Sequence, residues 1–499
     1  MGNKLASHIQ SQLHQPKRRK ISNDHSNTNT NSLDGGEEGE LDSGAKQRQS
    51  RKQLTITLMK LFEKLELTQD GGNKHPGEMS RTAFESAFQG PLHLFGKLLY
   101  RHMMTVSITT NRERITREQF VKAGKEILMM YEEKQLVKFY FHFFAEGKDH
   151  LTIDDAKRMF EVSFALTLSL SQILHKEDER DPRMFSAMAT GLFGIKTDIN
   201  HDEFSKWLNE SCPHLFHSVH NWVSKVLTGS SLPQEMEVAR VPQLEGVVGT
   251  NNCTTMAILW LLSITLPAIY TKPPPTPGSD AASSSSATKD PMLTSMLLLR
   301  KMARLSLVQG WKLLYNSSEH GLSLNRFNNH VSAYNAPTVT FMAFEGRNLY
   351  CLAIDRGWSE GPHKFGGADC MLIQLFPVYR VVQAGPKMVR WNENARDASN
   401  GITVGCDGKS EVLRLTPEFD KIYHYSAPCE IHKIEVLGCG AETALQAQKN
   451  QKDWEIKAVH REQSRKLRPE AYGEDWRNCP DKQILQWGGV DVGNHSYNR

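Results

Sequence analysis

The period of the apolar residues changes along this chain, and the change constrains its fold class. Up to about residue 230 apolar side chains recur at helical intervals. TLMKLFEKLEL, residues 57–67, sets Leu58, Leu61, Phe62 and Leu65 on one stripe. From 338 onward the pattern reads as strands. TVTFMAFE, NLYCLAID, CMLIQLF, YRVVQAG, EVLRLTP and IHKIEVLGCG are short, rich in β-branched or aromatic residues, and bounded by Gly, Asn or Pro. Helices first and strands afterwards predict an α+β chain with an antiparallel sheet. Its 499 residues, 39% hydrophobic and 23% charged, are enough to bury sizeable cores.

Within the helical region, 51–230, a short phrase recurs. Met79-Ser80-Arg81-Thr82-Ala83-Phe84 is followed by Ile115-Thr116-Arg117-Glu118-Gln119-Phe120, then Leu151-Thr152-Ile153-Asp154-Asp155-Ala156, then Ile199-Asn200-His201-Asp202-Glu203-Phe204. Each unit is an apolar residue, a capping Ser, Thr or Asn, and a helix start; Thr116 with Gln119 and Asn200 with Glu203 have the form of capping boxes. The phrase resembles the second half of an EF-hand loop entering its exiting helix. Calcium needs side-chain oxygens at loop positions 1, 3 and 5 and a bidentate Glu at 12. Counting the apolar residue as position 8, the first three are Gly72, Lys74 and Pro76; Ile108, Thr110 and Arg112; Phe144, Glu146 and Lys148; and Leu192, Gly194 and Lys196. Only Glu203 fills position 12. The expectation is an EF-hand-like helical domain without calcium; a calcium-responsive sensor is the alternative.

Residues 1–50 hold no aromatic side chain, and a stretch such as NDHSNTNTNSLDGGEEGELDSG cannot offset its ordering entropy by burial, so a disordered tail is expected. The tail begins MGNKLAS. Removal of Met1 would expose Gly2 as an acceptor for myristate; the sixth position, where Ser or Thr is usual, holds Ala6, with Ser7 next. Lys17-Arg18-Arg19-Lys20 then supplies cations for an anionic membrane surface, the second signal that a single acyl chain needs for lasting attachment. The same run also fits a nuclear-import signal or a plain solubilising stretch. The net charge of +4 does not suggest a nucleic-acid partner, and eight scattered cysteines without a secretory leader read as reduced thiols of a cytosolic protein.

MAILWLLSITLPAI, residues 256–269, has the length of a buried helix and is short for a membrane span. TKPPPTPGSDAASSSSATKD, residues 271–290, reads as a disordered insertion within one domain. Of the helical extension 441–499, the stretch 441–468 is helix-prone but polar nearly all round. It suits a helix that docks on a partner, or a frayed extension. Trp454, Val459, Trp476 and Trp487 are the candidate docking residues.

Three stretches imitate active sites. GCDGKS, 405–410, lacks the earlier glycine of a phosphate-binding loop and precedes a strand pattern rather than a helix. Cys429, His432 and Cys439 lack the second close pair of a structural zinc site. Ser317-Ser318-Glu319-His320 would need an elbow and oxyanion donors to serve as a hydrolase. Trp311, Leu313, Leu314 and Tyr315 read as a helix end, Gly321 as its cap and Ser323 as the N-cap of the next helix. No catalytic residue, metal or cofactor is therefore expected, and a serine hydrolase built on Ser318 and His320 is the enzymatic alternative.

Trp311-Lys312-Leu313-Leu314-Tyr315, His320-Gly321-Leu322-Ser323, Phe327, Pro337-Thr338-Val339, Gly357-Trp358, Phe365-Gly366-Gly367 and Cys370-Met371-Leu372-Ile373-Gln374-Leu375 before Pro377 together resemble the TLDc domain, over roughly 240–440. Trp311, Gly321, Trp358, Phe365, Gly367 and Cys370 carry the signature. The resemblance implies a two-layer α/β fold with a central antiparallel β-sandwich, no established catalytic centre, protection against oxidative stress, and binding to the vacuolar proton-pumping ATPase. The order of parts, from Gly2 through the EF-hand-like domain and TLDc domain to a C-terminal helix, resembles the mTOR-associated TLDc subgroup of the lysosome. That implies a peripheral protein on the cytosolic face of lysosomes, with mTOR complex components among its partners. The usual Gly-Leu-Gly-Phe-Gly-Gly run stands here as Gly401-Ile402-Thr403-Val404-Gly405.

Overall fold

The computed structural model describes residues 38–67, 77–88, 92–105, 114–130, 132–171, 173, 175, 178–228, 241–245, 253–271, 310–393, 400–466 and 480–489. The first helix, α1 (Glu38–Leu67), opens inside the stretch read as a polar tail. Thereafter the recurring phrase builds the helical region. Each copy is a three-residue strand whose last residue starts a helix: β1 (Glu78–Ser80) before α2 (Arg81–Glu85), then α3 (His93–Thr105), β2 (Arg114–Thr116) and α4 (Arg117–Leu128). After α5 (Glu133–Phe144), the pattern repeats as β3 (His150–Thr152), α6 (Ile153–Ser171), α7 (Asp181–Phe193), β4 (Asp198–Asn200) and α8 (His201–Ser211), closing with α9 (Leu215–Thr228).

The phrases pair in space. Strand β1 runs antiparallel to β2 with Met79 opposite Ile115, and β3 to β4 with Leu151 opposite Ile199. The apolar residue of each phrase is buried, while the polar residue after it caps the helix. Ser80 Oγ accepts from the Ala83 amide; Thr116 with Gln119, and Asn200 with Glu203, form the expected capping boxes.

Between the helical region and the sheet lies α10 (Met256–Thr265), preceded by β5 (Gln243–Glu245) and followed by α11 (Ala268–Thr271). Every residue from Ala257 to Thr265 is buried, as a helix apolar on all sides requires. Trp260 Nε1 donates to Thr167 Oγ1 of α6 at 3.2 Å, and Asp181 of α7 accepts the Ala257 amide at 3.1 Å. From the other end, Thr265 Oγ1 meets the Tyr379 hydroxyl at 2.7 Å. Among the described residues no helix is long and apolar enough to cross a membrane.

The remaining chain gives β6 (Gly310–Asn316), α12 (Ser317–His320), α13 (Leu324–Val331), β7 (Thr338–Phe344), β8 (Asn348–Ile354), β9 (Met371–Phe376), β10 (Arg380–Ala384), β11 (Val389–Asn392), β12 (Gly401–Val404), β13 (Leu413–Leu415), β14 (Lys421–His424), β15 (Ala427–Gly438), α14 (Glu442–Lys466) and α15 (Pro480–Trp487). The strands make one eleven-stranded sheet in the order β10-β9-β8-β7-β15-β14-β13-β12-β11, with β6 beside β15 and β5 parallel to β6. Strand β15 joins two layers: its start pairs with β14 and its later part with β7 and β6.

Side-chain alternation shows what each face does. From β8, Leu349, Cys351 and Ala353 enter the core shared with the helices, whereas Tyr350, Leu352 and Ile354 enter a second core with Trp391, Ile402 and Leu415 of the other layer. Strands covered on both faces read as nearly continuous apolar runs. The result is helices, sheet and sheet in succession, an α+β architecture with a β-sandwich.

One sequence expectation is corrected. Gly310–Asn316, including Trp311, Leu314 and Tyr315, is strand β6 and not a helix end. Tyr315 pairs with Val436 and Leu313 with Leu437 of β15, so sheet hydrogen bonding overrides the helical spacing.

Candidate docking surface

The signature residues are structural. Trp311 is buried and its indole N–H donates to the Tyr270 carbonyl at 2.8 Å. Trp358 donates to Thr338 Oγ1 at 3.0 Å and packs edge-on against Phe327, Phe365 and Trp391. Phe365 exchanges backbone hydrogen bonds with Val389. Gly367 donates its amide to Asp355 Oδ1 at 2.7 Å, and a Cβ there would stand 2.1 Å from Asp355 Oδ2. The Cys370 thiol points at the same carboxylate, and burial pushes its pKa up to about 12, the opposite of an activated thiolate. Gly321, at φ +83°, ends α12 in the left-handed region.

The Ser317-Ser318-Glu319-His320 run is a turn with fixed partners. Asn316 Oδ1 accepts the Ser318 amide and caps α12, and Ser317 Oγ accepts the Ile434 amide at 3.0 Å. His320 Nδ1 accepts the Asn316 amide at 3.1 Å. Ser323 stands at the start of α13 as expected, but its side chain makes no capping bond.

Helix α14 is divided. Its first three turns are fastened to the sandwich by polar side chains. Lys312 of β6 pairs with Glu442; Gln448 Nε2 donates to the carbonyls of His330 and Ser332 at 2.9 and 2.8 Å; and Lys452 Nζ donates to the Asn329 carbonyl. Gln448 is 5% exposed. These bonds satisfy carbonyls left open at the end of α13. Leu445, Gln448, Lys452, Ile456 and Val459 follow one another at three- and four-residue steps, a single helical face. The face continues past the last contact: Ile456 and Val459 are 57% and 55% exposed. Trp454, on the opposite face, is 59% exposed. Sequence inspection missed the clamp because its members are polar; the spacing alone carried the signal.

On α15, Ile484 and Trp487 are exposed. Of the other predicted sites, Gly2, Lys17, Arg18, Arg19, Lys20 and Trp476, and the 271–290 insertion apart from Thr271, lie outside the described residues.

In the helical region, the two described loops hold cations of the protein's own. Lys196, at loop position 5, pairs with Glu203, at position 12. That ion pair, with the Asn200 amide, holds the Glu203 carboxyl below its ordinary range. Glu146 of the third loop pairs with Arg101 of α3. Among the described residues no cluster of three or more His, Cys, Asp or Glu side chains is placed to hold a metal ion. A cavity of about 450 Å³, lined mainly by apolar groups including Leu98, Met130, Phe139 and Phe143, opens between α3 and α5.

No curated protein matches the chain. The family match begins inside the polar insertion and ends just beyond the clamped turns of α14. Residues 284–457 match the model of the TLDc domain, and over that stretch the chain carries a TLDc domain.

Proposed function

We propose that this protein is a non-enzymatic adaptor that docks through the projecting end of α14 on a membrane-bound assembly, the vacuolar proton-pumping ATPase of the lysosome, and acts in mTOR and nutrient signalling or in protection against oxidative stress. The observation that carries this reading is the face of α14: clamped to the TLDc domain as far as Lys452, then continuing as exposed Ile456 and Val459. A helix that turns apolar on one face as it leaves its own domain is suited to a groove on a partner. Trp454, on the opposite face, offers a second large anchor of the kind that dominates interface energies.

The helical region fits this reading as an EF-hand-like scaffold. Its paired short strands and capped helices support that description. In its fourth loop an ammonium group already faces Glu203, the one glutamate at position 12. Gly2 acylation and the cluster Lys17–Lys20 supply the membrane attachment in the same reading.

The test is capture of the pump from solubilised lysosomal membranes. Ile456→Asp combined with Val459→Asp is expected to reduce recovery at least tenfold, about 1.4 kcal/mol of binding. Recovery equal to wild type would remove the docking role. Gly2→Ala is expected to move the full chain from membranes to the soluble fraction; an unchanged distribution would remove the acyl anchor.

A further inference from the structure

The clamped half of α14 rests against two stacked histidines. The rings of His320 and His330 lie 3.8 Å apart, centroid to centroid, at 21°. Tyr315 of β6 stacks on His320 and lies 6.1 Å from His330. The backbone carbonyl of His330 is one of the two that Gln448 holds, and the carbonyl before it, Asn329, is held by Lys452. The histidine pair and the clamp are thus one structure.

We propose that His330, stacked on His320, is a proton-sensitive latch that releases the first turns of α14 from the TLDc domain as pH falls below neutrality. The inference rests on the reading of α14 as a docking arm and adds its regulation. The chemistry is local. His320 Nδ1 is occupied as an acceptor of the Asn316 backbone amide. A proton taken up at His330 therefore faces a stacked imidazole that cannot offer it a counter-charge.

Charged groups of both signs surround the pair. Arg326 of α13 donates to the His320 carbonyl at 2.6 Å, and Lys452 of α14 approaches from the other side. Glu319 Oε1 of α12 accepts from the Asn316 side-chain Nδ2 at 3.2 Å, while Glu455 acts on Lys452 and Lys312 is paired with Glu442. An imidazolium at His330 adds a like charge beside Lys452, the residue that closes the clamp. Burial first, then His320 and Lys452, hold His330 below its ordinary value, against the Leu314 carbonyl, which favours the charged form. Released from α14, His330 binds a proton more readily than when docked. Because Lys452 leaves with the helix while His320 stays, docking is at full strength above the released ring's value and weakens as pH falls through it towards the docked one.

Amide hydrogen exchange of the full chain tests the latch, with intrinsic rates corrected for pH. Between pH 7.5 and 5.5, protection of amides 444–452 is expected to fall severalfold while that of β9, residues 371–376, stays constant. His330→Phe keeps an aromatic ring in the stack without a titratable nitrogen, and His330→Gln keeps a donor for the Leu314 carbonyl. Either one, if its sheet stays protected, is expected to remove the pH difference. Equal protection of wild-type 444–452 at both pH values would overturn the proposal, as would an undiminished difference in both variants. The readout is within the chain, so failure to capture the pump leaves it standing, and an absent pH effect leaves the docking reading standing.

Discussion

Gly191 shows how one missing methyl group joins two parts of the molecule. It lies in α7, where a Cβ would stand 2.0 Å from the Tyr379 carbonyl oxygen. The Tyr379 amide donates to the Ala187 carbonyl at 3.1 Å, and its hydroxyl reaches the Ser211 carbonyl of α8 at 2.5 Å. Burial holds that hydroxyl well above its ordinary pKa, so it remains a donor. Because the colliding atom is backbone, Gly191→Ala must push α7 away from the sheet. We expect a loss of about 2 kcal/mol or more, read from urea unfolding, although alanine is the better helix former. Gly361→Ala, where a Cβ meets nothing within 4 Å, is the control and should stay within about 0.5 kcal/mol of wild type. The signature residues were legible as a set, but not as what they are. Their order pointed to the family, whereas Gly367 against Asp355 and Trp358 on Thr338 are contacts that only the folded chain brings together.

Elements were legible where one face alone is buried. The recurring phrases announced their helix starts through capping chemistry, which is local in sequence. Strand β6 reads as a helix end in the sequence because Trp311, Leu314 and Tyr315 recur at helical steps, while sheet partners on either side and cover on both faces erase the alternation that marks a strand. Helix α14 was legible as a helix but not as a clamped one. Its docking uses Gln448 and Lys452, which a search for apolar stripes passes over. Gln448→Ala leaves two part-buried carbonyls without that donor, each costing up to about 1–3 kcal/mol when unsatisfied. We expect faster amide exchange over 442–452 with little change in the global unfolding midpoint, since the helix lies at the margin of the sandwich core. Unchanged exchange there would show that Lys312–Glu442 and Lys452 suffice to hold it.

At the scale of the whole molecule, a division into helical domain and TLDc domain describes the sequence better than the packing. One continuous core takes in Phe62 and Phe120 at the far end of the helices, α10 at the centre, and Val339, Cys351, Ile373 and Tyr379 of the sheet. Residues 256–265 belong to neither side alone: Trp260 packs on Phe164 and Phe185, and Thr265 meets Tyr379. Burial of this kind, worth about 25 cal/mol per Å² of apolar surface, is far more than a mobile linker would provide. The helical region and sandwich are therefore expected to unfold together, with far-ultraviolet dichroism and tryptophan fluorescence following one urea transition. A chain begun at residue 241 would expose the helix-facing side of β7, β8 and β9, a contiguous apolar surface that promotes aggregation. Two separated transitions, or a soluble monomeric sandwich lacking residues 38–228, would show instead that α10 completes the sandwich unaided and that the helices are an independent attachment.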